Sequence, residues 1–199
     1  MTINEEKIYK DLQNNSFIFF KDFIERITDK DNQNEDYISN ELVALSIASL
    51  QISIELALKA LVLKKRGLMS LMSTQNSSKT LDELYAEFLN NSIKVLTFEK
   101  IKIFAKANNL IDSIDDDDYE IITEFQKYRN GIVHLSFNFH ENDYFDLKSD
   151  IIYFAINILI KILCSCDESI KPSEFLAYNL GSEYHKRLIN YRPYISAME

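Results

Sequence analysis

An arginine and a histidine lie close together in residues 126–134, QKYRNGIVH, where His134 follows Arg129 by five positions and Asn130 follows the arginine directly. A guanidinium is always charged, and its fork of N–H groups matches phosphate oxygens. An imidazole exchanges a proton near neutral pH. Together they suit RNA cleavage without a metal. The histidine would take the proton of a ribose 2′-OH, that oxygen would attack the adjacent phosphorus, and the arginine would stabilise the charge on the phosphoryl oxygens.

The position of Arg129 within its helix is unusual. Residues 117–133 have a helical pattern, in which Arg129 falls on the same stripe as Ile122, Phe125 and Ile132. An unpaired charge on an apolar face is unfavourable. Either the arginine is a structural anchor, paired with Glu55 or with an aspartate of the acidic run, or it serves a function at this position.

The spacing of Arg129 and His134 raises a geometric difficulty. Five steps along a continuous helix separate two side chains by roughly 140°, so the pair does not share a face. Three solutions exist: the long arginine reaches round the helix, the helix breaks near Gly131, or two copies of the chain pool their residues in one cleft. The period-2 pattern of VHLSFNFH, residues 133–140, indicates a short extended segment near His134.

The composition predicts long helices. The chain has 199 residues, 46% of them apolar, with three Gly and two Pro, and so few turn residues argue against a many-stranded sheet. We expect one all-α domain over 1–199, an up-and-down bundle of five to seven helices with its core at about 37–167 and extra helices at both ends. Helical patterns cover about 3–29, 37–66, 80–91, 98–110, 117–133, 146–166, 171–180 and the tail up to Pro193, and 68–79 is predicted to be a loop.

The charge limits the class of partner. The formal net charge of −9 argues against a protein that coats nucleic acid, but leaves room for a small basic cleft. Lys64, Lys65 and Arg66 end the second helix, where they either complement the helix dipole or contact phosphate. Lys127 is a further cation beside the arginine.

The other groups that suggest chemistry have structural interpretations as well. The four aspartates at 115–118 either cap a helix or bind an adventitious Mg²⁺ or Ca²⁺. Cys164 and Cys166 are expected to be packing thiols in a reducing cytoplasm, and His140 and His185 to be surface residues. The longest apolar run, 151–166, is too short to span a bilayer. We therefore expect no metal, no cofactor and no membrane segment.

Two stretches resemble a known family. RNGIVH is similar to the signature of HEPN domains, with Arg129, Asn130 and His134 matching the arginine, the polar residue and the histidine. IELALKALVLKK, residues 54–65, resembles the HEPN helix that carries a Glu and a Lys one turn apart, although Glu55 and Lys59 also suit a simple i,i+4 pair. The resemblance covers roughly 45–165 and implies an all-helical bundle.

The resemblance implies a function of the prokaryotic toxin or phage-defence type. The expected activity is metal-independent endoribonuclease cleavage in the cleft of a homodimer, with RNA as substrate and an antitoxin or defence-system protein as partner. The chain departs from toxins that are neutralised by modification of a Tyr two positions after the His, because Ser136 stands there. The alternative is a non-catalytic HEPN module that binds a nucleotide, an RNA or a protein partner.

Overall fold

Two long antiparallel helices form the centre of the fold. Helix α1 spans Ile3–Thr28 and helix α2 spans Asn40–Arg66. Ser16 of α1 bonds to Ser53 of α2, and Asp22 bonds to Ser49. Because the residue numbers rise along α1 as they fall along α2, the two helices run in opposite directions.

Six shorter helices complete the part of the chain that the structure describes. In this computed structural model the described residues are 1–28, 40–73, 79–90, 94–133, 156–166 and 171–190. The shorter helices are α3 (Leu81–Leu89), α4 (Phe98–Ala107), α5 (Asp116–Val133), α6 (156–164), α7 (Pro172–Leu180) and α8 (Ser182–Asn190). The all-α prediction is confirmed. The described ranges hold eight α-helical segments where five to seven were expected, and only Gly181 separates the last two.

The described helices share one hydrophobic core. Helix α2 packs against α1, α4 and α5, and α1 also packs against α7 and α8. Residues 156–160 of α6 are all buried. Burial of so many large apolar side chains is the main favourable term in folding; the largest fully buried ones include Phe20, Phe23, Ile24, Ile47, Leu50, Ile54, Leu58 and Leu61.

Reciprocal capping boxes begin two of the helices. The Glu5 amide donates a hydrogen bond of 3.2 Å to the Thr2 hydroxyl, and the Thr2 amide donates one of 2.8 Å to the Glu5 carboxylate. Thr80 and Glu83 form the same reciprocal box at the start of α3. Pro172 is in the first turn of α7, where its missing N–H leaves no helical bond unmade.

The prediction of a loop at 68–79 is wrong for its first residues. Leu68–Leu71 form a 3₁₀ helix, and Leu68 and Leu71 are buried. Gly67 turns the chain with φ 80°, and the next amide, that of Leu68, donates to Glu5 at 3.0 Å. Met72 then forms an isolated antiparallel bridge with Val95. Tertiary contacts of two leucines and one buried carboxylate therefore order this segment.

Helix α4 ends at Ala107, three residues before the predicted end. Asn109 has a φ of 47°, its amide donates to the carbonyl of Lys106, and the Leu110 amide donates to that of Ala105. This pair of bonds is the Schellman motif, in which a left-handed residue stops the helix. The predicted extended segment at 133–140 is wrong for Val133, which is the last residue of α5, and its residues 134–140 lie outside the described residues. The first part of the 146–166 helix and the tail beyond 190 lie outside them as well.

Candidate functional site

Helix α5 carries Arg129 and Asn130 of the candidate motif in its final two turns. It begins at Asp116 and ends at Val133, so Arg129 and Asn130 have helical backbone. Asn130 is exposed. The Arg129 side chain and the whole of His134 lie outside the described residues. Their approach to each other, within one chain or between two, stays a prediction.

The apolar stripe of α5 is confirmed where its side chains are described. Ile122 and Phe125 are both buried in the common core. Helical spacing continues this stripe through position 129, while Asn130 is one step further round the helix. The motif therefore begins where the buried face of α5 meets its exposed face.

The acidic run begins α5 and caps it. The Asp118 amide donates to Asp115 at 2.9 Å, and the Asp115 amide donates to Asp118 at 3.3 Å. Asp116 pairs with Lys106 at 2.8 Å, and Asp118 pairs with Lys161 at 2.6 Å. These contacts favour the capping interpretation. Among the described residues, no group of three His, Cys, Asp or Glu side chains is placed to hold a metal ion.

Lysines from two neighbouring helices hold α5 in position. The side chain of Lys102 on α4 is only 7% exposed, and its ammonium donates to Glu99 at 2.9 Å and to the Thr123 hydroxyl at 2.8 Å. Lys161 on α6 donates a hydrogen bond to Asp118 in the first turn of α5. Neither lysine was predicted to have this role, although Lys161 interrupts the apolar run 151–166 and is therefore a visible signal.

Tyr119 shows how closely these helices pack. Burial raises the pKa of its hydroxyl to about 12, and the nearby Asp118 carboxylate acts in the same direction. The Lys106 ammonium lies 5.5 Å from the centre of the ring. The Tyr119 hydroxyl is therefore protonated at neutral pH, and its ring packs among these helices.

The predicted cations occupy two separate places. Lys127 is exposed on α5, one turn before Asn130, and pairs with Glu124. Lys64 donates to the carbonyl of Cys166, just beyond the end of α6, and lies 5.2 Å from the ring centre of Tyr9. Lys65 and Arg66 are exposed beside it. Lys64 thus has a structural contact with the chain beyond α6 that neither of its two interpretations included.

The described contacts of Lys64 lead to the first turn of α5. Lys64 contacts the chain just beyond α6, and Lys161, five residues before Cys166, binds the first turn of α5. Asn130 lies twelve residues beyond Asp118, which is about 18 Å along a helix. These contacts therefore connect Lys64, through α6, with the beginning of α5.

The remaining candidate groups have structural partners or environments. Glu55 and Lys59 form an ion pair of 2.5 Å, which confirms the i,i+4 interpretation. The two cysteines are free thiols, and burial raises the pKa of Cys164 to about 11 and that of Cys166 to about 12. His185 is half-buried, so its predicted surface position is wrong. The position of His140 lies outside the described residues.

One described helix is long and apolar enough to span a membrane by length and composition. It is the part of α2 from Leu45 to Arg66, and 67% of the relevant window is buried inside the bundle, as in the core helix of a globular domain. The chain has no match among protein-family models, curated proteins or solved structures.

Proposed function

We propose that this chain is a metal-independent endoribonuclease of the toxin or phage-defence type. The observation that carries the proposal is RNGIVH at the end of an amphipathic helix, in a chain whose described part is an all-helical bundle. The resemblance of this stretch to the HEPN signature supports the same activity. The proposed catalytic residues are Arg129, Asn130 and His134.

Each residue has a chemical role in the proposed reaction. His134 takes the proton of the ribose 2′-OH, and the resulting oxygen attacks the neighbouring phosphorus. Arg129 binds the phosphoryl oxygens as their charge rises, and Asn130 supplies an amide to orient the sugar-phosphate. The 5′-oxygen leaves with a proton, and the products are a 2′,3′-cyclic phosphate and a 5′-OH end.

A homodimer supplies what one chain lacks. One His134 takes the proton from the 2′-OH, and a second gives a proton to the leaving oxygen. A two-fold interface places two copies of the same patch face to face, so it brings two histidines and two arginines into one cleft. We further propose that the enzyme acts in the cytoplasm and that an antitoxin or defence-system protein controls it.

The decisive experiment is RNA cleavage in EDTA. Purified protein is incubated with total RNA, and the new ends are tested for 2′,3′-cyclic phosphate. We expect cleavage by the wild type and by Arg187→Ala, a matched arginine that pairs with Glu183 on α8. We expect none by Arg129→Ala or His134→Ala. A wild type that does not cleave, or a His134→Ala variant that cleaves equally well, refutes the proposal.

The acidic composition favours one competing function. A net charge of −9 opposes the binding of a polyanion, which suits a non-catalytic module that holds a nucleotide, an RNA or a protein partner. In that case Arg129 binds a phosphate without chemistry. Labelled RNA would then bind at low salt and stay intact, and Arg129→Glu would abolish binding.

A further inference from the structure

Lys102 is a buried cation at a position where an apolar side chain would stabilise the protein as well. It belongs to the buried face of α4, with Phe98, Ile101 and Ala105, and its side chain is only 7% exposed. Lysine is rarely buried to this extent, because an ammonium loses its hydration there. Replacing a buried ion pair by apolar side chains is often neutral or stabilising. The charge of Lys102 therefore needs another explanation.

Neither partner of Lys102 depends on it to stay satisfied. The ammonium donates to Glu99 at 2.9 Å and to the Thr123 hydroxyl at 2.8 Å. The Glu99 side chain is 48% exposed, so water can bind its carboxylate. The Thr123 hydroxyl donates its own proton to the Tyr119 carbonyl at 2.8 Å, so it keeps a hydrogen bond without the lysine. Loss of the ammonium thus leaves neither group buried without a partner.

The bond from Lys102 reaches the face of α5 that continues into the candidate motif. Thr123, Lys127 and Asn130 are spaced i, i+4 and i+7, so they lie on one side of the helix. Lys127 and Asn130 are exposed, whereas Thr123 is half-buried beneath α4 through its bond to Lys102. A movement of α5 at Thr123 therefore moves this exposed face with it.

The final turns of α5 extend beyond this bond. Lys106 of α4 pairs with Asp116 in the first turn of α5, whereas Lys102 bonds to Thr123 further along α5, so the two helices run in opposite directions. Of these two contacts, the one at Lys102 is nearer to the motif. Seven residues separate Thr123 from Asn130, which is about 10 Å along a helix.

We infer that Lys102 is a positioning residue of the proposed nuclease, because its bond to Thr123 sets the rotation of α5 about its axis and thereby the direction of the motif. Side-chain ends lie about 5–6 Å from a helix axis, so a rotation of roughly 10° moves them by about 1 Å. A displacement of about 1 Å can cost about 100-fold in rate. The inference rests on the proposed function for the reaction, whereas the docking of α5 is measured without RNA.

The first experiment measures the docking of α5 in the RNA-free protein. Lys102→Met removes the ammonium and keeps an unbranched side chain. Its melting temperature should stay within about 3 °C of that of the wild type. Amide hydrogen exchange should become roughly tenfold faster in residues 124–133 and stay unchanged in α1. Lys100→Met, at an exposed position of the same helix, is the matched control and should change neither property.

The second experiment measures RNA cleavage by the same variants. Lys102→Met should lower kcat about 100-fold and change KM by less than about twofold, because the geometry of the site changes and its binding groups remain. Lys102→Arg keeps a charged donor and should restore kcat to within about threefold of the wild type. Adding Thr123→Val to Lys102→Met should lower kcat no further, because both substitutions break the same bond.

The other outcomes overturn the inference. A melting temperature of Lys102→Met that falls by more than about 3 °C shows a structural residue instead. Unchanged exchange at 124–133, full cleavage activity, a change in KM alone, or failure of Lys102→Arg to restore kcat also refutes it. If the wild type cleaves no RNA, the proposed function fails and hydrogen exchange alone decides. Faster exchange confined to the end of α5 then supports Lys102 as the residue that positions this helix, and unchanged exchange refutes it.

Discussion

Lys161 and Asp118 form an ion pair of 2.6 Å between α6 and α5, across 43 residues of sequence. The Asp118 side chain is only 11% exposed, and the same carboxylate accepts the Asp115 amide at the start of α5. One residue therefore both caps α5 and fixes it against its neighbour. The candidate motif lies at the other end of that helix.

Loss of the Asp118 carboxylate should destabilise the protein far more than loss of its neighbour. Asp118→Ala removes a helix cap and leaves the Lys161 ammonium partly buried without its partner, so the free energy of unfolding should fall by about 2–3 kcal/mol. Asp117→Ala, at an exposed position of the same run, should change it by about 0.5 kcal/mol or less. Urea denaturation measures both. Equal effects would contradict a specific role for Asp118.

Glu5 should make stability depend on pH. Burial alone raises the pKa of its carboxyl, but the amides of Thr2 and Leu68 donate hydrogen bonds to the carboxylate and leave the pKa below its ordinary value. Because the pKa is lower in the folded state, the Glu5 carboxylate stabilises the protein at pH values above its unfolded pKa of about 4.3. This stabilisation is lost as the pH falls through the folded pKa.

Variants of Glu5 and Glu6 test this dependence. Glu5→Gln should lower the free energy of unfolding by about 1 kcal/mol at pH 7, and the difference from the wild type should shrink as the pH falls below about 4. Glu6→Gln on the same helix, where Glu6 pairs with the exposed Lys10 at 3.4 Å, should have a smaller effect. Urea titrations between pH 7 and pH 3 measure both. A difference that stays constant with pH would exclude the carboxylate as its source.

Arg66 and Lys64 should differ in how they affect RNA binding and stability. If the end of α2 contacts phosphate, Arg66→Gln should reduce the slope of log affinity against log salt by about one unit with little change in stability. Lys64→Met should instead lower stability, because it removes the donor to the Cys166 carbonyl. Anisotropy over a range of salt concentrations and urea denaturation measure the two effects. An unchanged slope for Arg66→Gln would show that this end of α2 does not contact the RNA phosphates.

A mixture of two inactive variants should regain part of the activity if the site is shared. Arg129→Ala and His134→Ala chains are unfolded together and refolded, so that about half of the dimers hold one chain of each kind. Each mixed dimer keeps one arginine and one histidine, and cleavage should partly return if one of each is enough, which requires the single histidine to serve as both base and acid. Light scattering should report twice the chain mass of 23.3 kDa. A monomer with full cleavage activity would refute the shared site.

The sequence alone determined which segments are helical and how several of them begin. Few glycines and prolines, together with apolar residues at helical spacing, predicted α1, α2, α5 and α7 to within a few residues, because these signals act within one or two turns of the chain. Capping at Thr2, Thr80 and Asp115 is local in the same way, and so is the Glu55–Lys59 pair. The types and spacing of Arg129, Asn130 and His134 also came from the sequence.

Tertiary structure decided everything that depends on distant residues. Leu68–Leu71 became a 3₁₀ helix because Glu5, 63 residues earlier, accepts the Leu68 amide, and no local pattern indicates such a partner. The buried Lys102 and the Lys161–Asp118 pair have the same origin. The side-chain oxygens of Gln51, Gln126 and Asn157 are buried without a donor, which no local pattern indicates. Burial and pairing result from how helices pack, and packing brings together residues that the sequence keeps far apart.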